Sequence, residues 1–116
     1  MSNKTPVIVY GAGISGRGAA QVLADRGQQV YLYNDAPANV EPELEQALTA
    51  AGGGVKIGQS AFDELLQGCK QVVLSPGIPC DSANVLAAEA KGLEVISEVE
   101  LGYRLYGGHI AAITGT

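Results

Sequence analysis

With 116 residues, 47% of them apolar, the chain suits one domain whose core buries roughly two thirds of the surface exposed on unfolding. Acidic residues outnumber basic ones by 12 to 7, a net charge of −5 without a basic stripe, which excludes an ordinary nucleic-acid-binding face. No apolar stretch approaches the roughly 20 residues of a membrane helix, and the N-terminus lacks a signal-peptide core, so a cytoplasmic location without a membrane partner is expected.

The first predicted element covers residues 6–10 (PVIVY), a continuous β-branched run of the kind buried on both faces of a sheet. Residues 14–26 carry Ala19, Ala20, Val22 and Leu23 at helical spacing, and Gly27 is a good stop. Residues 29–35 (QVYLYND) form the second strand. After a loop, a helix starts at Pro42, with acidic residues near its positive end. Residues 55–58 are the third strand, and 60–68 a short helix with Ser60 as its predicted cap. The fourth strand, 71–75, runs into the turn-rich PGIPCDS. Helix 82–91, strand 94–96 and helix 97–106 follow, and residues 110–113 read as a last buried strand. Strands alternating with helices of about ten residues predict a Rossmann-like α/β fold, a doubly wound parallel sheet with helices on both faces.

Two loops of this pattern carry chemistry. GAGISG places Gly11, Gly13 and Gly16 in GxGxxG spacing between a strand and a helix. Gly11 permits the tight turn, Gly13 lets backbone approach a diphosphate, and Gly16 allows close helix–strand contact. The N–H groups of Ile14, Ser15 and Gly16 then point into a crevice with the positive end of the helix dipole. Asp35 closes the second strand, where a carboxylate can accept from a ribose hydroxyl or a base N–H. The same glycines also suit a plain βα turn, but spacing, context and the downstream acid together favour a nucleotide-like ligand. Alone, the motif favours NAD. The second loop, SPGIP at 75–79, lies at the carboxyl end of the fourth strand, where Ser75 offers a hydroxyl and Gly77 exposes backbone; ordinary turn chemistry explains it equally well.

Cys69 and Cys80 form no CxxC pair and have no histidine cluster beside them, so no metal site is expected and both read as free thiols of a reducing compartment. His109, the only histidine, reads as a capping or surface residue, and Arg17 as a solvated helix arginine.

GAGISG, ND at the end of the second strand, VVLSPGIP, VISEVELGYRL and IAAITGT occur in this order. Together they resemble the N-terminal part of the Mur ligase family, most closely the members that add D-glutamate, and the resemblance spans essentially the whole chain. SPGIP with EVELGYRL is the discriminating pair. The resemblance implies a module that holds the UDP portion of UDP-MurNAc-L-alanine rather than NAD. It puts Ile14, Ser15 and Gly16 around the uracil–diphosphate, Asp35 and Ala36 at the nucleotide edge, and Ser75, Pro76 and Gly77 near the diphosphate and sugar. DAPAN at 35–39 departs from the family pattern, lacking the hydroxyl and basic residues some relatives carry.

The resemblance further implies that residues 1–96 form the UDP-substrate domain and 97–116 the start of a central ATP-binding domain. Thr114, Gly115 and Thr116 would open its phosphate loop, of the form Thr-Gly-Thr-Asn-Gly-Lys-Thr. The chain stops before the lysine, so no competent ATP site is expected and the chain alone is expected to be inactive. In the intact enzyme ATP, with Mg2+, would phosphorylate the terminal carboxylate of UDP-MurNAc-L-alanine, and the amine of D-glutamate would attack the acyl phosphate. No catalytic residue is placed on this chain. Two other readings compete: an NAD-binding domain of an oxidoreductase, which leaves the SPGIP and EVELGYRL motifs unexplained, and an interaction module without a ligand.

Overall fold

The computed structural model describes residues 5–106. Five strands, β1 (Val7–Tyr10), β2 (Val30–Asn34), β3 (Gly54–Ile57), β4 (Gln71–Leu74) and β5 (Glu94–Ser97), alternate with five helices. These are α1 (Ile14–Asp25), α2 (Pro42–Ala50), α3 (Gln59–Gly68), α4 (Ala83–Ala90) and α5 (Glu98–Tyr106). The strands pair in parallel in the order β3-β2-β1-β4-β5, so the expected Rossmann-like sheet is present. The strand expected at 110–113, together with His109, Thr114, Gly115 and Thr116, lies outside the described residues.

Alternation along the strands divides the core into two layers. The register aligns Leu32, Val9, Val73 and Ile96 across four strands, and these pack against Ala20 and Leu23 of α1, Leu44 and Leu48 of α2 and Leu101 of α5. On the opposite face Tyr33, Tyr10 and Leu74 align and meet Phe62, Leu65 and Leu66 of α3 and Val85 and Ala88 of α4. Both faces of the central strands are therefore covered, which explains why β1 shows no polar alternation. Each fully buried Val, Leu or Ile contributes about 1.5–3 kcal/mol, so these two layers hold most of the folding energy.

Helices α1, α2 and α4 end alike. Gly27, Gly52 and Gly92 adopt positive φ (81°, 95° and 89°), and the N–H of the next residue returns to the carbonyl of Leu23, Leu48 or Ala88. Each acceptor is itself a core residue, so the closure that ends the helix also anchors it on the sheet. Ser60 is not the cap of α3. Gly58 holds that position at φ 93°, and Phe62 donates its N–H to the Gly58 carbonyl, so the cap sits two residues earlier than the Ser60 side chain suggested.

Candidate functional site

The strand order reverses between β1 and β4. Helix α1 leaves β1 toward one face and α4 leaves β4 toward the other, which opens a crevice at the carboxyl edge of these strands. A cleft of about 410 Å3 lies there, lined by residues 11–16, Asn34 and residues 75–78. Ile14, Ser15, Gly16, Gly11, Gly13, Ser75, Pro76 and Gly77 are thus brought together. Asp35 and Ala36 are exposed and stand outside its lining.

The glycines have separate reasons to be glycine. Gly11 sits at φ 111° with its N–H on the Tyr33 carbonyl at 2.8 Å, a conformation that L side chains rarely adopt. A Cβ on Gly16 would lie 1.8 Å from the Gly11 carbonyl oxygen, so only glycine lets α1 approach the loop this closely. Gly13 has an ordinary φ of −74°, and a Cβ there would meet nothing within 4 Å. Packing within the chain does not require glycine at 13; what it leaves is bare backbone at the cleft.

That backbone is rich in donors. Gly13 is the N-cap of α1, no side chain caps the helix, and the first intrahelical bond is donated by Arg17. The N–H groups of Ile14, Ser15 and Gly16 precede that bond, so unsatisfied donors and the positive end of the dipole stand in the cleft wall. Ile14 is 83% exposed at the same place, an uncovered apolar side chain beside an anion-binding helix end.

Three polar residues knit the surroundings of this loop: Ser75, which the sequence singled out, and Asn34 and Asn84, which it did not. Asn34 Oδ1 accepts the Ala12 N–H at 3.0 Å while its Nδ2 donates to the Ala36 carbonyl at 2.7 Å, so one side chain joins the glycine turn to the loop after β2. Ser75 is buried. Its Oγ lies 3.2 Å from the Gly11 carbonyl and 2.8 Å from Glu98 Oε2, and its single proton goes to the carboxylate, the stronger acceptor. The Ser75 hydroxyl is therefore engaged in the fold, tying the loop after β4 to the start of α5 while lying against the glycine turn. Asn84, at the start of α4, is the third.

Asn84 belongs to a network centred on Asp35. Asp35 Oδ1 accepts from Tyr10 Oη at 2.8 Å, from Tyr33 Oη at 3.2 Å and, more distantly, from Asn84 Nδ2 at 3.5 Å. Asn84 Nδ2 also donates to Tyr10 Oη at 3.1 Å, and Asn84 Oδ1 accepts from Gln59 at 2.9 Å. Both tyrosine rings pack on Phe62, at centroid distances of 5.5 and 4.9 Å. Burial, followed by the negative charge of Asp35, pushes the Tyr33 phenol up to about 12. Burial also raises the Tyr10 phenol. Both hydroxyls therefore stay protonated and donate to Asp35 at neutral pH.

Arg17 is paired: its guanidinium contacts Glu41 at 3.3 Å, the Asn39 carbonyl at 3.3 Å and the Gly13 carbonyl at 3.3 Å. A second cleft of about 460 Å3 lies beside it, between α1 and the start of α2. Glu41 and Glu43 line that cleft, which makes it unsuited to a polyanion. Cys69 is buried and Cys80 exposed, and burial raises the Cys69 thiol to about 11. Among the described residues no group of three or more His, Cys, Asp or Glu is arranged to hold a metal ion, and no helix is long and apolar enough to cross a membrane.

Residues 5–97 match the family described as Mur ligase MurD-like, N-terminal domain. Curated relatives named UDP-N-acetylmuramoylalanine–D-glutamate ligase are similar along nearly the whole chain. That of Limosilactobacillus fermentum is 37% identical over 110 residues, covering 95% of this chain and 24% of the relative. That of Lachnospira eligens is 40% identical over 117 residues, covering 100% and 25%. The chain thus spans about a quarter of the length of the curated relatives it matches. Among solved structures, an NADH-dependent reductase A1-R′ complexed with NAD superposes with a TM-score of 0.52 at 18% identity, covering 83% of this chain and 60% of that one. Lactate dehydrogenase from Eimeria maxima with NADH and oxamate gives 0.50 at 15% identity, covering 84% and 36%. At such identities the likeness is one of fold alone.

Proposed function

The chain belongs to the Mur ligase MurD-like N-terminal domain family, and from that premise we propose that it is the domain that binds UDP-MurNAc-L-alanine in an ATP-dependent ligase of cytoplasmic peptidoglycan precursor synthesis. In that enzyme D-glutamate is the incoming amine. The observation that carries the reading is the cleft at the strand reversal, where bare N–H groups of Ile14, Ser15 and Gly16 meet an uncovered Ile14 side chain. A diphosphate takes the donors and the helix dipole without needing net positive charge, which suits a chain of net charge −5. A pyrimidine covers Ile14. Asp35 and Ala36 lie at the nucleoside edge, and Pro76 and Gly77 flank the diphosphate and sugar.

The chemistry assigned to this chain is binding and orientation. Holding the UDP end fixes where the distant L-alanine carboxylate meets ATP and D-glutamate in the rest of the enzyme. Residues 1–96 are assigned to the UDP-substrate domain and 97–116 to the start of the central domain, with the Ser75–Glu98 contact as the tether at that junction. ATP and Mg2+ belong to the whole ligase. Thr114, Gly115 and Thr116 lie outside the described residues, and no step through ATP or magnesium is assigned to this chain. An NAD-binding oxidoreductase domain is not favoured, since the likeness to NADH-dependent enzymes stands at 15–18% identity against 37–40% for the ligases.

The test is a calorimetric and NMR titration of the chain with UDP-MurNAc-L-alanine, UDP and NADH in parallel. Shifts at Ser15, Asp35 and Gly77 with the uridine compounds alone support the reading. Binding of NADH without a response to UDP overturns it, and silence from all three removes the ligand role from the isolated chain.

A further inference from the structure

Asp35 is an exposed residue at the start of a loop of alanine, proline and asparagine, a setting in which an aspartate normally samples several rotamers. Here its Oδ1 takes two phenol hydroxyls and, at longer range, one amide. Tyr10 and Tyr33 are 2% and 0% exposed and locked against Phe62, and Asn84 is 9% exposed and held by Gln59. Every donor is thus set by the core, and the carboxylate borrows that rigidity. None of the described residues donates to Oδ2.

We propose that Tyr10, Tyr33 and Asn84 are positioning residues that hold the Asp35 carboxylate with one oxygen occupied and the other free to accept a donor from the nucleoside. The proposal rests on the reading of the chain as a UDP-substrate domain, and it defines the ligand class as a nucleotide carrying an N–H on its base or a hydroxyl on its ribose. The two tyrosines remain neutral donors, so they tether the carboxylate without neutralising it. Preorganising the acceptor removes the ordering cost that a free aspartate would impose on binding.

The test titrates the chain and its Tyr10→Phe, Asn84→Ala and Asp35→Ala variants with UDP and with inorganic pyrophosphate. Tyr10→Phe and Asn84→Ala are each expected to weaken UDP about two- to tenfold and leave pyrophosphate unchanged. In the Asp35→Ala background the same changes are expected to have no further effect, because the group they position is gone. Equal losses in both backgrounds, or equal losses for pyrophosphate, would make the network purely structural and overturn the proposal. N3-methyl-UDP and 2′,3′-dideoxy-UDP identify the donor: loss with either supports the assignment, and loss with neither defeats it. Three-bond couplings of Asp35 in the free chain are independent of any ligand. A single χ1 rotamer that averages in Tyr10→Phe combined with Asn84→Ala supports the network. An averaged rotamer in the unaltered chain overturns it, whereas failure to bind UDP alone overturns the binding reading and not the network.

Discussion

Replacing Gly16 by alanine adds one methyl group at the tightest point of the molecule. Its Cβ would stand 1.8 Å from the Gly11 carbonyl oxygen and 2.8 Å from Ser75 Oγ. The first neighbour is backbone that is itself bonded through Gly11 N–H to Tyr33, so it cannot swing aside. Relief requires α1 to move outward by roughly 1.5 Å, which draws Ala20 and Leu23 off Val9 and Leu32. Overpacking of this kind costs about 1–3 kcal/mol, offset by up to about 1 kcal/mol from exchanging glycine for alanine in a helix. We expect a net loss of about 2 kcal/mol in urea denaturation followed by circular dichroism, corresponding to a fall in Tm of roughly 10 °C for a domain of this size. Gly13→Ala is the control. It meets open space and costs about 0.5 kcal/mol, as a poorer N-cap, while weakening UDP through the side chain placed over the donors. A Gly16→Ala protein within about 0.5 kcal/mol of the unaltered chain, or a Gly13→Ala protein equally damaged, would refute the division of roles among the three glycines.

Three further outcomes follow from the geometry. Glu98→Gln removes a negative charge beside the loop at 75–78, and calorimetry should find UDP bound at least about twofold more tightly, with the gain shrinking above about 0.5 M salt; unchanged affinity at low salt would place the carboxylate outside the ligand's field. The Arg104 guanidinium, helped by Gln71, holds the Glu94 carboxyl down to about 2. A depressed carboxyl stabilises the fold above its ordinary value of 4.5 and loses that contribution as pH falls from 4.5 toward 2, so α5 should loosen across that window and Glu94→Gln should flatten the Tm profile there. A profile that stays unchanged in the variant would deny the pair any role. Thiol titration with an aromatic disulfide should find one fast group, Cys80, with Cys69 reacting only on unfolding; two fast thiols would contradict the packing of α3.

The order of elements and the glycine turn were legible because both are written locally. Continuous apolar runs mark strands covered on both faces, and GxGxxG needs only six adjacent residues to declare a turn. The network around the cleft was not legible, since its bonds join residues far apart in sequence. Asn34 meets Ala12 across 22 positions, Ser75 meets Glu98 across 23 and Asn84 meets Tyr10 across 74. Nothing in the composition of NDAPAN or SANVL distinguishes these residues from surface amides. Ser60 illustrates the reverse error: a good cap by residue type lost its place to Gly58, because only a glycine makes the left-handed entry into α3. Asp35 stood at the expected strand end, yet its partnership with two tyrosines depends on the register that sets Tyr33 beside Tyr10.

The matching glycine closures of α1, α2 and α4 lie along the edge of the sheet opposite the cleft. They make the lower edge self-sufficient: three turns are finished by main-chain bonds to core residues and make no demand on what is bound above. The loop at 35–39 on the upper edge carries no such duty beyond the contacts of Asn34, Asp35 and Arg17, whereas Val40 packs on the first core layer and Glu41 is the N-cap of α2. Lengthening a surface loop costs only about 0.6 kcal/mol per doubling. The fold can therefore accept a different loop at 35–39 without being refounded, and, under the proposed function, a lineage built on it is free to change what that loop meets while inheriting the same base plate unchanged.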